Sequence, residues 1–305
     1  MMRPVSRRPA PEIRPPLVLS VIATLLLVVT VAVRFSIPVN LPTSNGPDIV
    51  EEPYPDTHIV PPEPLERTDA PRIALVIDDL GNRWDNDIVR GLLTLDIPLT
   101  LGVIPGLVYS DRIAKAAHDH GELVIAHVPM KPLHGGVGLG IPVIYPKASR
   151  TQVEEALNSA LRLPYAKGMN NHMGSAATQD LETMSLVART CRTNGWFILD
   201  SITHASSVLY AVALQEGVPA ARRDVFLDHE KGVTSIRAEL AKAEQLARAH
   251  SRPIVVIGHP RPETWEVLHS EIPGMLARGV RFVPLTKALR TGGGREQAFE
   301  RTVKP

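Results

Sequence analysis

Most of the apolar, β-rich segments of this chain end in an aspartate or a histidine. In parallel β/α folds the carboxyl ends of the strands meet on one face, so residues far apart in sequence can share a site there. A single aspartate or histidine at such a point more often caps a helix or is satisfied in the core. Six such endings together predict a shared site instead. The residues are Asp78 with Asp79, His127, His172, Asp200, Asp228 and His259.

These residue types suit hydrolysis at a divalent metal ion. Two carboxylates and two or three histidines are a ligand set that suits Zn²⁺, provided that one coordination position stays open to water. The ion lowers the pKa of that water and polarises a substrate carbonyl, which favours attack on an amide or an ester. Because side-chain alternation breaks where a strand ends, one member of the Asp78–Asp79 pair can bind metal while the other accepts the proton of the water. A separate histidine, His259, then protonates the departing group.

The segments that carry these residues predict an α/β fold. Short apolar segments alternate with amphipathic stretches of helical period, which is the pattern of βα units around a parallel sheet or barrel. Eight candidate strands favour a barrel. They cover residues 72–78, 99–105, 122–128, 168–173, 196–200, 224–228, 253–259 and 281–285.

Seven motifs from these segments carry a family resemblance. They are IDDLG (77–81), GVIPG (102–106), AHVPM (126–130), NNHMGS (170–175), FILDS (197–201), RDVFLDH (223–229) and GHPRPET (258–264). In this combination and order, the chain resembles the divergent polysaccharide deacetylase family over about residues 72–289. That family is a distant branch of the carbohydrate esterases, which remove N- or O-acetyl groups and share a distorted β/α barrel and a metal centre. The resemblance implies a distorted (β/α) barrel of seven or eight parallel strands, a divalent metal such as Zn²⁺, and an acetylated polysaccharide or peptidoglycan-like glycan as substrate.

The resemblance also implies a role for each matching residue. Asp78 corresponds to the catalytic base, Asp79 to a metal ligand, and His259 to the late-strand histidine that acts as general acid. His127 corresponds to the first histidine of an H-x-x-x-H pair of metal ligands. The groups predicted to orient their neighbours or to contact substrate are Asp200, Arg223 and Asp228.

The second histidine of that pair is replaced. The fourth residue beyond His127 is Lys131, and a charged lysine is no metal ligand, so either His172 on the next strand replaces it or metal binding is weakened. If the pair begins at His172 instead, the fourth residue beyond it is Ala176, which cannot coordinate. One hypothesis is a deacetylase with Asp79, His127 and His172 as ligands. Another is a catalytically weak or inactive glycan-binding or scaffold module, and a third is a metal-dependent hydrolase with a non-sugar ester, amide or phosphate substrate.

Composition limits the partners and the covalent chemistry. Lysine and arginine number 33 against 32 acidic residues, so the formal net charge is only +1. The chain therefore lacks the basic surplus typical of nucleic-acid binding, and we expect no nucleic-acid partner. Its single cysteine, Cys191, excludes an internal disulfide.

The N-terminus has the pattern of an export segment. An uncharged apolar stretch at residues 17–33 follows a basic N-terminus at residues 1–16. This length is at the short end of what spans a bilayer, and the basic side stays in the cytoplasm. An uncleaved signal anchor is favoured over a cleaved signal peptide, because no good A-x-A site follows the stretch. With either, we expect the domain in the periplasm, attached to the inner membrane or secreted.

The remaining segments complete the predicted organisation. Residues 34–71 are rich in proline and acidic residues, which is typical of an extended linker. Residues 72–290 form the deacetylase-like domain. Residues 291–305 have no hydrophobic face and are predicted to be a flexible tail.

Overall fold

The computed structural model describes residues 70–84 and 87–292. The predicted membrane segment, most of the linker and nearly all of the tail lie outside these residues, so the predictions for them stay predictions. No helix within the described ranges has the length and apolar content needed to cross a membrane.

Strands and helices alternate along the described chain. The strands are β1 Arg72–Leu80, β2 Leu99–Val103, β3 Leu123–Met130, β4 Ala166–Met173, β5 Phe197–Asp200, β6 Ala220–Arg222, β7 Val225–Phe226, β8 Ile254–Gly258 and β9 Arg281–Phe282. The helices are α1 Asp87–Leu92, α2 Ser110–Asp119, α3 Arg150–Leu161, α4 Leu181–Thr193, α5 Leu209–Gln215, α6 Val233–Ala249 and α7 Pro262–Ala277. Each of the eight predicted strands corresponds to an observed one, and β6 is an additional strand.

The strands form one parallel sheet that curls into an incompletely closed barrel. Their order is β6-β5-β4-β3-β2-β1-β8-β7, with β9 beside β1. The two edge strands, β6 and β7, are consecutive in sequence and are separated only by Arg223 and Asp224. The amide of Arg223 donates a hydrogen bond to the carbonyl of Asp200 on β5, and the amide of Asp224 donates to the carbonyl of Val255 on β8. The interrupted strand therefore lies against both edges, and the prediction of a distorted barrel is confirmed.

Side-chain alternation along β1 defines the two sides of the sheet. Ile73, Leu75 and Ile77 belong to the larger hydrophobic core, which includes the buried faces of the helices. Ala74 and Val76 belong to a smaller cluster that draws its other members from the strands and from the segment after β9. Because successive side chains on a strand point to opposite faces, the next residue on the inner side is Asp78.

Two of the helices that cover the sheet, α3 and α4, begin with side-chain caps. Ser149 forms a capping box with Gln152 at the start of α3, in which each side chain accepts a hydrogen bond from the other residue's backbone amide. The Asp180 carboxylate accepts from the Thr183 amide at the start of α4. Each cap satisfies an amide that has no partner within the helix and contributes about 1 kcal/mol. Of these two helices, α3 packs against β3, which carries His127, and α4 packs against α3 and β5.

Candidate active site

The two adjacent aspartates lie at a bulge where β1 ends. The register between β1 and β2 shifts between Ile77 and Leu80. Asp79 has a φ of 59°, a left-handed conformation that is uncommon for residues other than glycine. A bulge of this kind redirects one side chain, so the carboxylates of both Asp78 and Asp79 reach the same cavity.

Three potential ligand atoms converge from β1, β3 and β4. Oδ1 of Asp79 lies 2.7 Å from Nδ1 of His172 and 3.1 Å from Nε2 of His127. The two histidine nitrogens are 3.2 Å apart. Ligands of a tetrahedral ion with bonds of 2.0–2.1 Å are about 3.3 Å apart, so the three atoms approximate one face of such a site. One carboxylate and two imidazoles are also donors that suit Zn²⁺, and the residues therefore fit a divalent metal.

Sheet register explains why the two histidines meet. His127 on β3 pairs with Asn170 on β4, and Pro129 pairs with His172. The two histidines are therefore diagonal neighbours on one face, within reach of each other.

Burial would lower the pKa of His127, but the charge of Asp78 and the hydrogen bond to Asp79 raise it to about 9. Burial would raise the pKa of Asp79, but hydrogen bonds with His127 and His172 lower it.

Asp78 lies beside these ligands in a tight, buried position. Burial raises the pKa of its carboxyl group. Its Oδ1 and Oδ2 accept hydrogen bonds from Nδ2 of Asn170 at 3.0 and 2.8 Å, and Oδ2 is 3.7 Å from Nδ1 of His127. A Cβ atom at Gly102 would lie 2.0 Å from Oδ1. Residue 102 must therefore be a glycine for the carboxylate to occupy this position.

His259 faces the ligand set from β8. Its Nδ1 lies 2.7 Å from Oδ1 of Asp228, and its Nε2 lies 3.6 Å from Oδ2 of Asp79. The other carboxylate oxygen of Asp228 accepts hydrogen bonds from the His259 amide at 2.9 Å and from the Thr264 hydroxyl at 2.8 Å. Burial would lower the pKa of His259, but the hydrogen bond and charge of Asp228 raise it. The arrangement favours a protonated imidazole with a free Nε2–H near the candidate metal site.

These groups line one cavity of about 380 Å³ at the carboxyl ends of the strands. Its volume is within the range of small-molecule sites. Part of its wall is apolar, formed by the side chains of Pro132, Met173, Phe226 and Ile257. The cavity can therefore hold a ligand with both a polar reacting group and an apolar surface.

Comparison with known proteins identifies the family. The sequence profile described as "Divergent polysaccharide deacetylase" matches residues 75–289. This chain belongs to that family. The family predicted from the motifs is thus confirmed.

Relatives in two bacteria match about two thirds of the chain. The chain is 34% identical over 204 residues to YibQ of Escherichia coli strain K12, which covers 67% of this chain and 63% of that protein. It is 32% identical over 206 residues to a Haemophilus influenzae protein, covering 65% of this chain and 70% of the relative. The match thus spans less than two thirds of the E. coli protein. Both relatives are named as uncharacterized proteins, so neither assigns an activity.

A solved structure supports the fold. An uncharacterized protein from Agrobacterium tumefaciens C58 superposes with a TM-score of 0.65 at 20% sequence identity. The match covers 71% of this chain and 88% of that chain. At this identity the likeness establishes the barrel and not the activity.

The H-x-x-x-H pattern of the deacetylase family is altered at Lys131. Its Nζ donates a hydrogen bond to the carbonyl of Gly135, 2.8 Å away in the loop after β3. Its own carbonyl accepts from the amides of Ala176 and Ala177. The lysine thus links two loops at the rim of the barrel, while His172 occupies the position beside His127.

Arg223 and Asp200 differ in their relation to the cavity. Arg223 lines it, and its guanidinium donates to the carbonyls of Ser201 and Ile202 at 2.6 Å each. Asp200 is not among the residues that line the cavity. Its carboxylate instead accepts from the Ser207 hydroxyl at 2.7 Å and from the Tyr210 amide at 3.2 Å. Alternation explains this, because Phe197 and Leu199 take the inner positions of β5.

Two residues of the site were missed in the sequence. Asn170 bonds both Asp78 and His127, and Gly102 makes room for the carboxylate of Asp78. One signal was available for Asn170, because it precedes His172 by two and therefore shares its face of β4. No comparable signal exists for Gly102, whose role depends on contact between two strands.

Proposed function

We propose that this chain is a metal-dependent hydrolase that removes acetyl groups from a glycan. The observation that carries the proposal is the convergence of Asp79, His127 and His172, whose ligand atoms lie 2.7 to 3.2 Å apart, on the wall of one cavity. Asp78 and His259 flank this set from two sides, as a base and an acid would. Membership in the deacetylase family supports a carbohydrate substrate.

The residues around the candidate metal site suit acyl transfer to water. A divalent ion such as Zn²⁺, when bound, polarises a carbonyl and lowers the pKa of water. Asp78 takes the proton of the attacking water, and its raised pKa makes it the stronger base. His259, kept protonated by Asp228, gives a proton to the departing nitrogen or oxygen. A C–O bond forms from water, the C–N or C–O bond to the sugar breaks, and acetate leaves.

Metal content and acetate release test this proposal. The full-length protein, purified without chelators, should contain about one equivalent of divalent metal and release acetate from acetylated oligosaccharides or peptidoglycan fragments. His172→Ala should lose metal and activity, whereas His120→Ala, at an exposed histidine on the far end of α2, should keep both. The proposal fails if the wild-type protein binds no divalent metal, or if Asp78→Ala releases acetate at the wild-type rate.

A second candidate is a glycan-binding module without turnover. Lys131 favours it, because this residue stands where family enzymes carry their second histidine ligand and it binds Gly135 instead. A binding module should retain acetylated oligosaccharide in equilibrium dialysis while releasing no acetate at any metal concentration. Acetate release that depends on both metal and Asp78 contradicts this alternative.

We also propose that residues 17–33 hold the protein at the inner membrane with residues 72–290 in the periplasm. The apolar stretch and the basic residues before it support this orientation. Protease added to spheroplasts should then degrade the domain, and carbonate washing should leave the full chain in the membrane fraction. A domain that is protected until the cells are lysed contradicts the proposal.

A further inference from the structure

We propose that Asn170 is a positioning residue that sets the tautomer of His127 and holds the carboxylate of Asp78 with the same side-chain amide. The inference rests on the proposed metal site and concerns a residue that belongs to the NNHMGS motif but to which the resemblance assigns no role. Asn170 is fully buried on the inner face of β4, between the other two residues. Its Oδ1 lies 2.8 Å from Nδ1 of His127, and its Nδ2 lies 2.8 Å from Oδ2 of Asp78.

The chemistry of the three groups permits one arrangement of hydrogens. An ionised carboxylate only accepts hydrogen bonds, so Asn170 must direct its NH₂ group toward Asp78. Its carbonyl oxygen then faces His127 and also only accepts, so Nδ1 of His127 must carry a hydrogen. In the neutral ring Nε2 is then left with its lone pair, and this atom lies 3.1 Å from Asp79 and 3.2 Å from His172. Asp78, through Asn170, thus determines which nitrogen of His127 is free to bind metal.

No direct hydrogen bond between Asp78 and His127 sets this tautomer. The distance between Nδ1 of His127 and Oδ2 of Asp78 is 3.7 Å, which is too long for a hydrogen bond. In the described part of the chain, Asn170 is the one group within hydrogen-bonding distance of that nitrogen. The remaining contact of Nδ2 is with the Ser201 hydroxyl at 3.2 Å, a further acceptor on the donor side of the amide.

Two substitutions distinguish the contact in which Asn170 accepts from His127 from the contact in which it donates to Asp78. Asn170→Asp keeps an oxygen that accepts from His127 but replaces the donor to Asp78 with a second carboxylate oxygen. Asn170→Leu has a similar volume and removes both contacts. The control is Asn158→Asp, which makes the same chemical change at an exposed position of α3. Thermal unfolding of each variant checks that the protein is folded.

Zinc affinity and acetate release then distinguish the variants. We expect Asn170→Asp to bind Zn²⁺ within about threefold of the wild type, because the acceptor for His127 remains, but to lose at least tenfold in acetate release. Asn170→Leu should lose 10–100-fold in Zn²⁺ affinity, the usual effect of removing a residue that orients a ligand. Equal Zn²⁺ affinity in the wild type and Asn170→Leu overturns the inference, as does an equal loss of affinity in both variants.

The tautomer can be measured without any metal, which keeps this inference distinguishable from the proposed function. The measurement is made at an alkaline pH at which the ring of His127 is neutral, because only the neutral ring has one hydrogen shared between two nitrogens. Long-range ¹H–¹⁵N spectra of the metal-free protein should then show the hydrogen on Nδ1 in the wild type and in Asn170→Asp, and a mixture of tautomers in Asn170→Leu. A hydrogen on Nε2 in the wild type overturns the inference even if the protein binds zinc and is active. A protein with this tautomer that binds no zinc overturns the metal site alone.

Discussion

Two histidine–carboxylate pairs face each other across the cavity, and they are built differently. On one side Asp228 touches His259 directly at 2.7 Å. On the other side Asp78 is 3.7 Å from His127, and Asn170 lies between them. The same two residue types therefore form a direct ion pair in one place and an amide-bridged pair in the other.

This difference gives the two carboxylates opposite protonation behaviour. Burial would raise the pKa of Asp228, but the hydrogen bond from His259 lowers it. The pKa of Asp78 is raised by burial, and its contacts with His127 and Asn170 do not offset the burial. A carboxylate with a lowered pKa stabilises a positive charge, whereas one with a raised pKa can take up a proton. The structure thus separates the group that orients an acid from the group that can act as base.

The largest expected effect comes from removing the base while keeping its shape. Asp78→Asn retains the volume beside Gly102 but cannot accept a proton from water. We expect acetate release to fall by about 10²–10⁴-fold, the usual contribution of a general base, with Zn²⁺ still bound by the other three residues. Steady-state kinetics and metal analysis of the same preparation measure this. Loss of metal in parallel with activity would instead mean that Asp78 contributes to metal binding, either as a ligand or through its contact with Asn170 and His127.

Breaking the direct pair should change the pH dependence. Asp228 raises the pKa of His259, so Asp228→Asn lowers that pKa, and the protonated form is lost at a lower pH. The alkaline limb of the profile of kcat/KM should therefore move to lower pH, with a loss of about 10–100-fold at pH 7. Thr264→Val is the matched control, because it removes a neutral hydrogen bond to the same carboxylate. An unshifted alkaline limb in Asp228→Asn argues against His259 as the acid.

The contact between Asp78 and Asn170 can also be perturbed by a substitution on β2, the strand that pairs with β1. Gly102→Ala puts a Cβ atom where Oδ1 of Asp78 lies, at 2.0 Å, so the carboxylate must move. We expect the free energy of unfolding to fall by about 1–3 kcal/mol, as for other overpacked sites, together with acetate release. Gly136→Ala should change neither, since no atom lies within 4 Å of its added Cβ. Urea denaturation measures both variants, and equal stability would mean that β1 and β2 can separate at little cost.

The smallest effect is expected at a carboxylate outside the cavity. Glu244 on α6 accepts from Arg278 and Arg248, and mainly the hydrogen bond from Arg278 lowers its pKa to about 2. Ionised Glu244 therefore stabilises the folded state at pH values above the pKa that this residue has in the unfolded chain. This contribution is lost as the pH falls toward 2. Glu244→Gln should cost about 1 kcal/mol at pH 7, since both arginines are largely exposed, and almost nothing near pH 2. Unchanged acetate release would show that a lowered pKa alone does not make a residue functional.

Sequence patterns predicted the strands and the direct pair better than the bridged pair. Apolar segments ending in Asp or His identified the strand ends, and two separate motifs contain Asp228 and His259, whose direct contact was not predicted. The strand β6 was missed because it has only three residues and its continuation is interrupted at Arg223 and Asp224. Local periodicity is too weak a signal over so short a segment.

Asp200 and Asn170 show where strand-end reasoning fails. Both are buried polar residues in the carboxyl-terminal halves of strands, yet alternation turns Asp200 toward α5 and Asn170 toward Asp78 and His127. Asp200 follows the inner residue Leu199 by one position and therefore points outward. Asn170 precedes His172 by two positions and therefore shares its inner face. Counting by two along each strand would have distinguished them. The contact of Asn170 with Asp78 required more, since it depends on the order of strands around the barrel and not on either segment alone.

The position of β1 in the sheet has a consequence for how the protein is made. Ile73 on this first strand pairs with Ile254 on β8 and with Phe282 on β9, so both of its strand partners leave the ribosome only near the end of synthesis. Asp79 and His259 are likewise far apart in sequence, so His259 is synthesised long after Asp79. A nascent chain that stops before β8 carries a first strand that pairs only with β2, and it lacks His259, so the open edge of β1 exposes it to aggregation and to proteases. Any chaperone that helps this protein should therefore act on β1 before the last fifth of the domain is translated.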